Sequence, residues 1–88
     1  MNSKIQMNRI QCIPDRTYNK ADDMHLRASI QNRIANGLKP LLQPIALKAL
    51  VSNSDYDYIV EDGRRRFMAL SDLKITEIEL GQEAILID

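Results

Sequence analysis

Cysteine and histidine are almost absent from this sequence, in which Cys12 and His25 each occur once. A lone cysteine excludes an internal disulfide and a cysteine-rich zinc site. His25 has no second metal-ligating residue beside it, so a metal site built on it is not expected. Cys12 lies in a predicted strand, where a free cysteine is usually a buried packing residue. We therefore expect neither a resident metal ion nor a catalytic thiol.

Long apolar runs are also missing. No stretch approaches the roughly 18 apolar residues of a membrane-spanning helix, and the amino-terminal segment holds no signal-peptide core. These absences predict a cytoplasmic protein without a membrane partner. The length of 88 residues predicts a single domain over residues 1–88.

An excess of charge of one sign is missing as well, because 12 Lys and Arg balance 12 Asp and Glu. The charges are unevenly placed, with a net +4 in residues 1–44 and −4 in residues 45–88. This distribution argues against a uniformly basic nucleic-acid binder. We expect the chain alone to bind duplex DNA only weakly and without sequence preference.

The most informative segment is IVEDGRRRFMAL, residues 59–70. It predicts a strand, a turn at Gly63 and a helix whose first turn holds Arg64, Arg65 and Arg66. A helix N-terminus carries about half a positive charge, so a cation there costs about 0.3–1 kcal/mol. Arginines are expected in this position when free N–H groups and guanidinium groups converge on an anion. Phosphate is the ligand that the arrangement favours.

A purely structural interpretation of the same residues stays open. Asp62 can cap the helix through its side chain, and Glu61 can pair with one of the arginines. Arginine stems also cover apolar surface. Residue chemistry alone is consistent with an anion site and with a solvated cluster of charges.

The first helix is predicted between an aspartate cap and a glycine stop. Asp22 or Asp23 is expected to cap its start, and Gly37 to follow its last turn. Its buried stripe is expected to consist of three residues spaced by four, namely Leu26, Ile30 and Ile34.

Alternating apolar residues predict the strands. The alternation changes parity within residues 4–13, which predicts a split or bulged strand. A hairpin is expected from residues 45–51 and 56–61 around a turn at 52–55. The arginine-rich helix is expected to extend to about Leu73, and the segments that follow it are a strand at 75–80 and either a strand or a helical turn at 83–88.

The predicted order β-α-β-β-α-β indicates a small α+β domain with a mixed sheet and helices packed on it. Loops at the ends of neighbouring strands lie close together in such a domain. We therefore expect Arg16 and Gln43 to lie within reach of the turn at Gly63.

Four landmarks occur in an order that resembles a known family. They are Ile13-Pro14 followed by Arg16, Ser29-Ile30 with Gly37, Gln43-Pro44-Ile45, and the box Asp62-Gly63-Arg64-Arg65-Arg66-Phe67-Met68-Ala69. Together they span about residues 5–80. This combination resembles the N-terminal domain of the ParB family of partition proteins, which belongs to the ParB/sulfiredoxin superfamily.

The resemblance implies a small ParB/sulfiredoxin-like fold whose arginine box contacts the phosphates of a nucleotide such as CTP or ATP, assisted by Mg²⁺. Gly63 matches the box glycine, and its missing side chain would let a phosphate approach the backbone. The implied binding residues are Arg16, Gln43, Gly63, Arg64, Arg65 and Arg66.

The sequence also departs from the family pattern. Arg64 stands where the family often has an acidic residue, and Met68 stands where it has a later arginine. The sequence ends at Asp88, before the second phosphate motif, the helix-turn-helix and the dimerisation domain of partition proteins. We therefore expect a fragment, or a stand-alone relative from a plasmid, phage or mobile element. Specific DNA binding would then depend on the missing domains, and self-association stays open.

Enzymes and interaction domains on the same scaffold are the alternatives. Superfamily members include kinases and nucleases, which need carboxylates to hold Mg²⁺ or to activate a nucleophile. Glu61 and Asp62 are the candidates, and alternation along a strand predicts that at most one faces the pocket. Sulfiredoxins carry a reactive cysteine where Arg64 stands, so that activity is not expected. A protein-interaction domain that has lost the site would be consistent with Met68.

Overall fold

The computed structural model describes residues 4–21, 23–52 and 55–87, which form six strands, a short 3-10 helix and two α-helices. The strands are β1 (Lys4–Gln6), β2 (Ile10–Gln11), β3 (Ile45–Ala49), β4 (Tyr58–Asp62), β5 (Glu77–Glu79) and β6 (Ala84–Ile87). The helices are the 3-10 helix Met7–Arg9, α1 (Met24–Ala35) and α2 (Arg64–Asp72). The predicted α+β class is confirmed.

The strands form two sheets. β1 pairs antiparallel with β5, and Ile5 lies opposite Ile78. The larger sheet is mixed, in the order β2-β4-β3-β6. In it β4 runs antiparallel to β3 and parallel to β2, while β6 runs parallel to β3. The final segment is therefore a strand, although Asp88 lies outside the described residues.

The split in the first strand has a clear structural cause. A 3-10 helix, Met7–Arg9, separates β1 from β2. It explains why the apolar residues of the first strand segment change from odd to even positions. Ile5, Met7 and Ile10 are all buried as a result. The predicted split strand is confirmed, and its two halves belong to different sheets.

The hairpin of β3 and β4 places two distant segments of the chain side by side. Ala46 pairs with Asp62, and a shift of register follows between Ala46 and Leu47. The start of β3 therefore lies beside the end of β4. Gln43, which precedes β3 by two residues, is brought to the turn at Gly63 by this pairing. Two residues of the predicted hairpin turn, Asn53 and Ser54, lie outside the described residues.

The core lies between α2 and the sheets. Its most deeply buried side chains include those of Ile30, Ile45, Leu47, Leu70 and Ile78. Each such side chain contributes roughly 1.5–3 kcal/mol relative to its exposed state. The predicted apolar face of α2 is confirmed, with Phe67 and Leu70 buried and Leu73 packed against the core.

The predicted stripe of α1 is correct only in part. Ile30 is buried and Leu26 is partly buried, but the side chain of Ile34 is 46% exposed. The prediction for Ile34 is wrong because α1 packs mainly against the shorter helix α2.

Both ends of α1 lie where the sequence predicts them. Gly37 has φ +72 and follows the helix, where its N–H donates to Ile34 O at 3.0 Å, and the N–H of Leu38 donates to Arg33 O at 2.8 Å. Asp23 occupies the cap position, but its carboxylate makes no capping hydrogen bond. The other predicted cap, Asp22, lies outside the described residues. Within the described ranges, no helix has the length and apolarity needed to cross a bilayer.

Candidate functional site

The turn between β4 and α2 depends on a glycine. Gly63 has φ +94 and ψ 31, a conformation that disfavours residues with a Cβ, and it occupies the cap position of α2. Its carbonyl accepts the first helical hydrogen bond from the N–H of Phe67 at 2.9 Å. No side chain caps α2, and its first turn contains no acidic residue. Asp62 therefore does not cap the helix, contrary to the structural interpretation of the sequence.

Arg66 folds back over this turn. A Cβ atom on Gly63 would lie 2.8 Å from Nη2 and 3.0 Å from Nε of Arg66. Nη1 of Arg66 donates to Oε1 of Gln43 at 3.2 Å, and Nη2 lies 4.0 Å from Oδ2 of Asp62. Nε of Arg66 is buried without a hydrogen-bond partner in the described structure. An unpaired buried donor costs about 1–3 kcal/mol, so Arg66 has one unused N–H at the site.

Arg65 is held by an acidic residue that local sequence predicts to be a helix cap. Its Nη2 donates to Oδ1 of Asp23, whose side chain is only 5% exposed. Oδ2 of Asp23 accepts from the backbone N–H of Asn19 at 2.9 Å. The hydrogen bond from Asn19 is the main cause that lowers the pKa of Asp23, burial opposes it, and the pairing with Arg65 lowers it further.

Asp15 brings the first loop to the site. Its Oδ1 accepts from the N–H of Thr17 at 2.8 Å and from Oγ1 of Thr17 at 2.6 Å. These bonds lower the pKa of Asp15, and the charges of Arg64 and Arg65 lower it further. The backbone N–H of Asp15 also donates to Sδ of Met68 at 3.4 Å. Met68 thus contacts the first loop at the position where the family pattern has an arginine.

A cleft of about 290 Å³ opens in front of the helix start. Its lining residues are Asp15, Glu61, Asp62, Gly63, Arg64, Arg65 and Arg66. Both candidate carboxylate residues, Glu61 and Asp62, belong to the lining of the cleft. Within the described ranges, no group of three His, Cys, Asp or Glu side chains is arranged to hold a metal ion.

A second crevice of about 280 Å³ adjoins the cleft through Arg66. It is mainly apolar, and its lining includes Leu26, Ile30, Leu41, Leu42 and Gln43. A larger cleft, about 750 Å³, lies elsewhere, between the 3-10 helix and α2, and contains none of the predicted binding residues. We consider the cleft of about 290 Å³ at the start of α2 the functional candidate, because its lining includes Arg64, Arg65 and Arg66 and the uncapped first turn of the helix.

Cys12 is a partly buried free thiol that directly follows β2 and does not lie in the predicted strand. Burial raises its pKa, and the nearby charge of Arg64 opposes this only in part. A raised pKa keeps the thiol protonated and therefore a poor nucleophile.

The structure brings together most of the predicted binding residues. Gly63, Arg64, Arg65 and Arg66 line one cleft, and Gln43 is bonded to Arg66. Arg16 is exposed and does not line the cleft. Sequence reasoning did not identify Asp15 as a residue of the site, and it did not identify Asp23 as the partner of Arg65. Both aspartates contact α2, which is distant in sequence, and such contacts have no signature in local periodicity or spacing.

The fold is similar to that of a solved structure, the C-terminally truncated chromosome-partitioning protein ParB from Caulobacter crescentus complexed with CTP-gamma-S. The TM-score is 0.67 and the sequence identity is 22%. The match covers 97% of this chain and 43% of that chain. No family model matches the sequence, and no match was found among curated proteins. The chain therefore has a ParB-like fold, as the sequence landmarks predict.

Proposed function

We propose that this chain is a nucleotide-recognition module that binds the phosphates of CTP or ATP at the turn formed by residues 63–66. The observation that carries the proposal is that three arginines and an uncapped helix start surround one cleft. The first turn of α2 has no side-chain cap, and Nε of Arg66 is a buried donor without a partner. Phosphate oxygens are the acceptors that such a set of N–H groups and guanidinium groups matches best.

The roles of the individual residues follow from their positions. Arg64 and Arg65 line the cleft and would bind phosphate oxygens directly. Arg66 lies between the cleft and the apolar crevice, and Gln43 fixes its guanidinium group. A phosphate that approaches Gly63 from the side of its missing Cβ meets the guanidinium of Arg66 before the backbone.

Mg²⁺ would bind together with the nucleotide. Mg²⁺ in nucleotide sites is usually held by one or two carboxylates and by the substrate phosphates. Asp15, Glu61 and Asp62 line the cleft and are the available carboxylates. The ion would neutralise phosphate charge there. It would be recruited by the nucleotide, because the described residues hold no preformed metal cluster.

The structural neighbour supports the choice of nucleotide. That ParB protein is complexed with CTP-gamma-S, so CTP is the first ligand to test on this chain. A role in partition or in another DNA-associated process is proposed from the likeness of fold alone. This chain spans only 43% of the neighbour's length, so any function of the whole neighbour comes to this chain only as a proposal.

Titration by NMR tests the proposal. We expect weak binding, with a Kd on the order of 0.1–1 mM, because the cleft is open and shallow. Chemical shifts should change around residues 60–68 and at Gln43 when CTP or ATP is added with or without Mg²⁺. Arg66→Ala should abolish these changes. Arg9→Ala is the matched control, because it removes the same charge from an ion pair with Asp57 away from the cleft.

The absence of shift changes at residues 60–68 with millimolar CTP and ATP would refute the proposal. Equal loss of binding in Arg9→Ala and Arg66→Ala would show a nonspecific charge effect and would also count against a defined site.

A phosphotransferase or nuclease activity is the second candidate. It is favoured by the finding that Glu61 and Asp62 both line the cleft. Either carboxylate could assist a nucleophile or hold Mg²⁺. Mass spectrometry of CTP and ATP after incubation with the protein and Mg²⁺ would detect product. Activity that survives in both Glu61→Gln and Asp62→Asn would exclude this role for the two carboxylates.

A further inference from the structure

Asp23 is the only charged residue that is buried among residues 4–21, 23–52 and 55–87, with 4% of its surface exposed. It stands at the cap position of α1, where an aspartate normally accepts hydrogen bonds from the first turn. Its carboxylate instead faces Arg65 and the N–H of Asn19. A buried carboxylate has thus left its usual role to bind an arginine of the candidate site.

The pair is asymmetric in exposure. The side chain of Asp23 is 5% exposed, whereas that of Arg65 is 48% exposed. Arg65 therefore spans the boundary between the protein interior and the cleft. One of its nitrogens is bound by the buried carboxylate, and its exposed part lines the cleft with Arg64 and Arg66.

Asp23 also connects the pair to the first loop. The N–H of Asp23 donates to Asn19 O at 2.8 Å, and the N–H of Asn19 donates back to Oδ2 of Asp23. The same loop is anchored further along α2, where Oη of Tyr18 donates to Oδ2 of Asp72 at 2.5 Å. A movement of the Asp23 carboxylate would therefore alter the hydrogen bonds of Asn19 and the position of the loop.

We propose that Asp23 acts as an internal anion that competes with the nucleotide phosphates for Arg65, and thereby couples occupancy of the cleft to the first loop. This inference rests on the proposed function. A phosphate carries more negative charge than a carboxylate and contacts Arg64 and Arg66 as well, so it draws Arg65 toward the cleft. The released carboxylate remains at the cap position of α1, where it can take up ordinary helix capping.

Competition predicts a gain of affinity when the internal charge is removed. Asp23→Asn keeps the size of the side chain and an oxygen for the N–H of Asn19. We expect it to bind CTP about fivefold more tightly than the wild type, a typical coupling between linked sites. Asp57→Asn is the matched control. It removes a carboxylate that is also paired with an arginine, Arg9. It should leave the Kd within about twofold, because Asp57 precedes β4 whereas the cleft lies at the end of β4.

A double-mutant cycle shows whether Asp23 acts through Arg65. In the Arg65→Ala background, Asp23→Asn should no longer tighten binding of CTP. A gain of the same size in both backgrounds would mean a general charge effect and would overturn the inference.

Hydrogen exchange in the wild type gives a second measurement that needs no variant. Saturation with CTP should speed exchange of the Asn19 amide while amides of the α2 first turn become protected. Unchanged or slower exchange at Asn19 would overturn the inference even if Asp23→Asn did not fold.

The two proposals fail in different ways. Wild-type binding with an unchanged or weaker Kd in Asp23→Asn refutes the competition and leaves the nucleotide site intact. Failure of both proteins to bind CTP, ATP or pyrophosphate refutes both proposals. If Asp23→Asn binds CTP and the wild type does not, both proposals are supported, and the Asp23 carboxylate is then the stronger competitor for Arg65.

Discussion

The guanidinium group of Arg66 lies directly over the α-carbon of Gly63, in the space that any larger residue would need for its Cβ. The two residues are three positions apart: Gly63 is the cap residue of α2, and Arg66 lies in the first turn of that helix. The glycine is required for its positive φ, and its missing side chain also leaves room for the arginine. This pairing makes the position of Arg66 sensitive to a single methyl group.

Gly63→Ala should destabilise the protein and displace Arg66. Gly81→Ala is the matched control, because Gly81 has φ +86 but nothing within 4 Å of the position that a Cβ would take. Backbone strain alone should cost each variant about 1–3 kcal/mol. In urea unfolding, both variants should lose a similar unfolding free energy, because the Arg66 guanidinium group can move away from the added methyl group. Only Gly63→Ala should lose shift changes on titration with CTP, and equal shift changes in both variants would show that Arg66 does not depend on the glycine.

Arg65→Ala and Arg66→Ala should differ in stability despite their adjacency. Arg66→Ala removes a cation from a positive helix end together with an unpaired buried N–H, so its unfolding free energy should stay within about 1 kcal/mol of the wild type. Arg65→Ala leaves the buried carboxylate of Asp23 without its cation and should lower the Tm by at least about 5 °C. Thermal melts without ligand compare the two. A lower Tm for Arg66→Ala than for Arg65→Ala would contradict the described ion pair.

Stability should fall in acid. The pKa values of Asp15, Asp23 and Asp57 are lowered from 3.8, mainly by hydrogen bonds from Thr17, Asn19 and Arg9 respectively. A carboxyl whose folded pKa lies below its unfolded pKa stabilises the protein above the unfolded value, and this stability is lost as pH falls through the folded pKa. Urea unfolding should therefore show a declining free energy from about pH 5 to below 3.8. Asp57→Asn should flatten part of that decline, and a decline of unchanged slope would argue against the Arg9 pair as one of its sources.

Leu47→Ala tests the core beneath the site. Leu47 is fully buried in β3, and its truncation should cost about 2–5 kcal/mol. Leu42→Ala is the control, since the side chain of Leu42 is 81% exposed and should change stability by less than about 0.5 kcal/mol. Equal losses in urea unfolding would mean that β3 does not occupy the described core.

Local patterns predicted the elements whose signals are contained in a few neighbouring residues. The glycine stop of α1, the apolar face of α2 and the split of the first strand all depend on short-range periodicity or backbone preference. Ile34 followed the same helical spacing and is nevertheless exposed. Its burial depended on the element that α1 packs against, and the spacing within α1 does not encode that element.

The candidate site was predictable where residues adjoin in sequence and unpredictable where the fold unites them. Gly63 and the arginines were identified from one segment, and Gln43 from its place at the start of a hairpin. The partner of Arg65 was not found, because an aspartate before a helix has a strong and ordinary interpretation as a cap. Here the tertiary attraction of Arg65 outweighs that local preference.

The pairing of β1 with β5 has a consequence for how the chain is made. Lys4 meets Glu79 in that small sheet, so the first strand emerges from the ribosome long before its partner exists. At about 5–20 residues per second, the wait lasts several seconds. The hairpin of β3 and β4 can form during this interval, while β1 still lacks its partner strand. A ribosome-arrest series should show protection of Ile5 from protease only after residue 79 has cleared the exit tunnel.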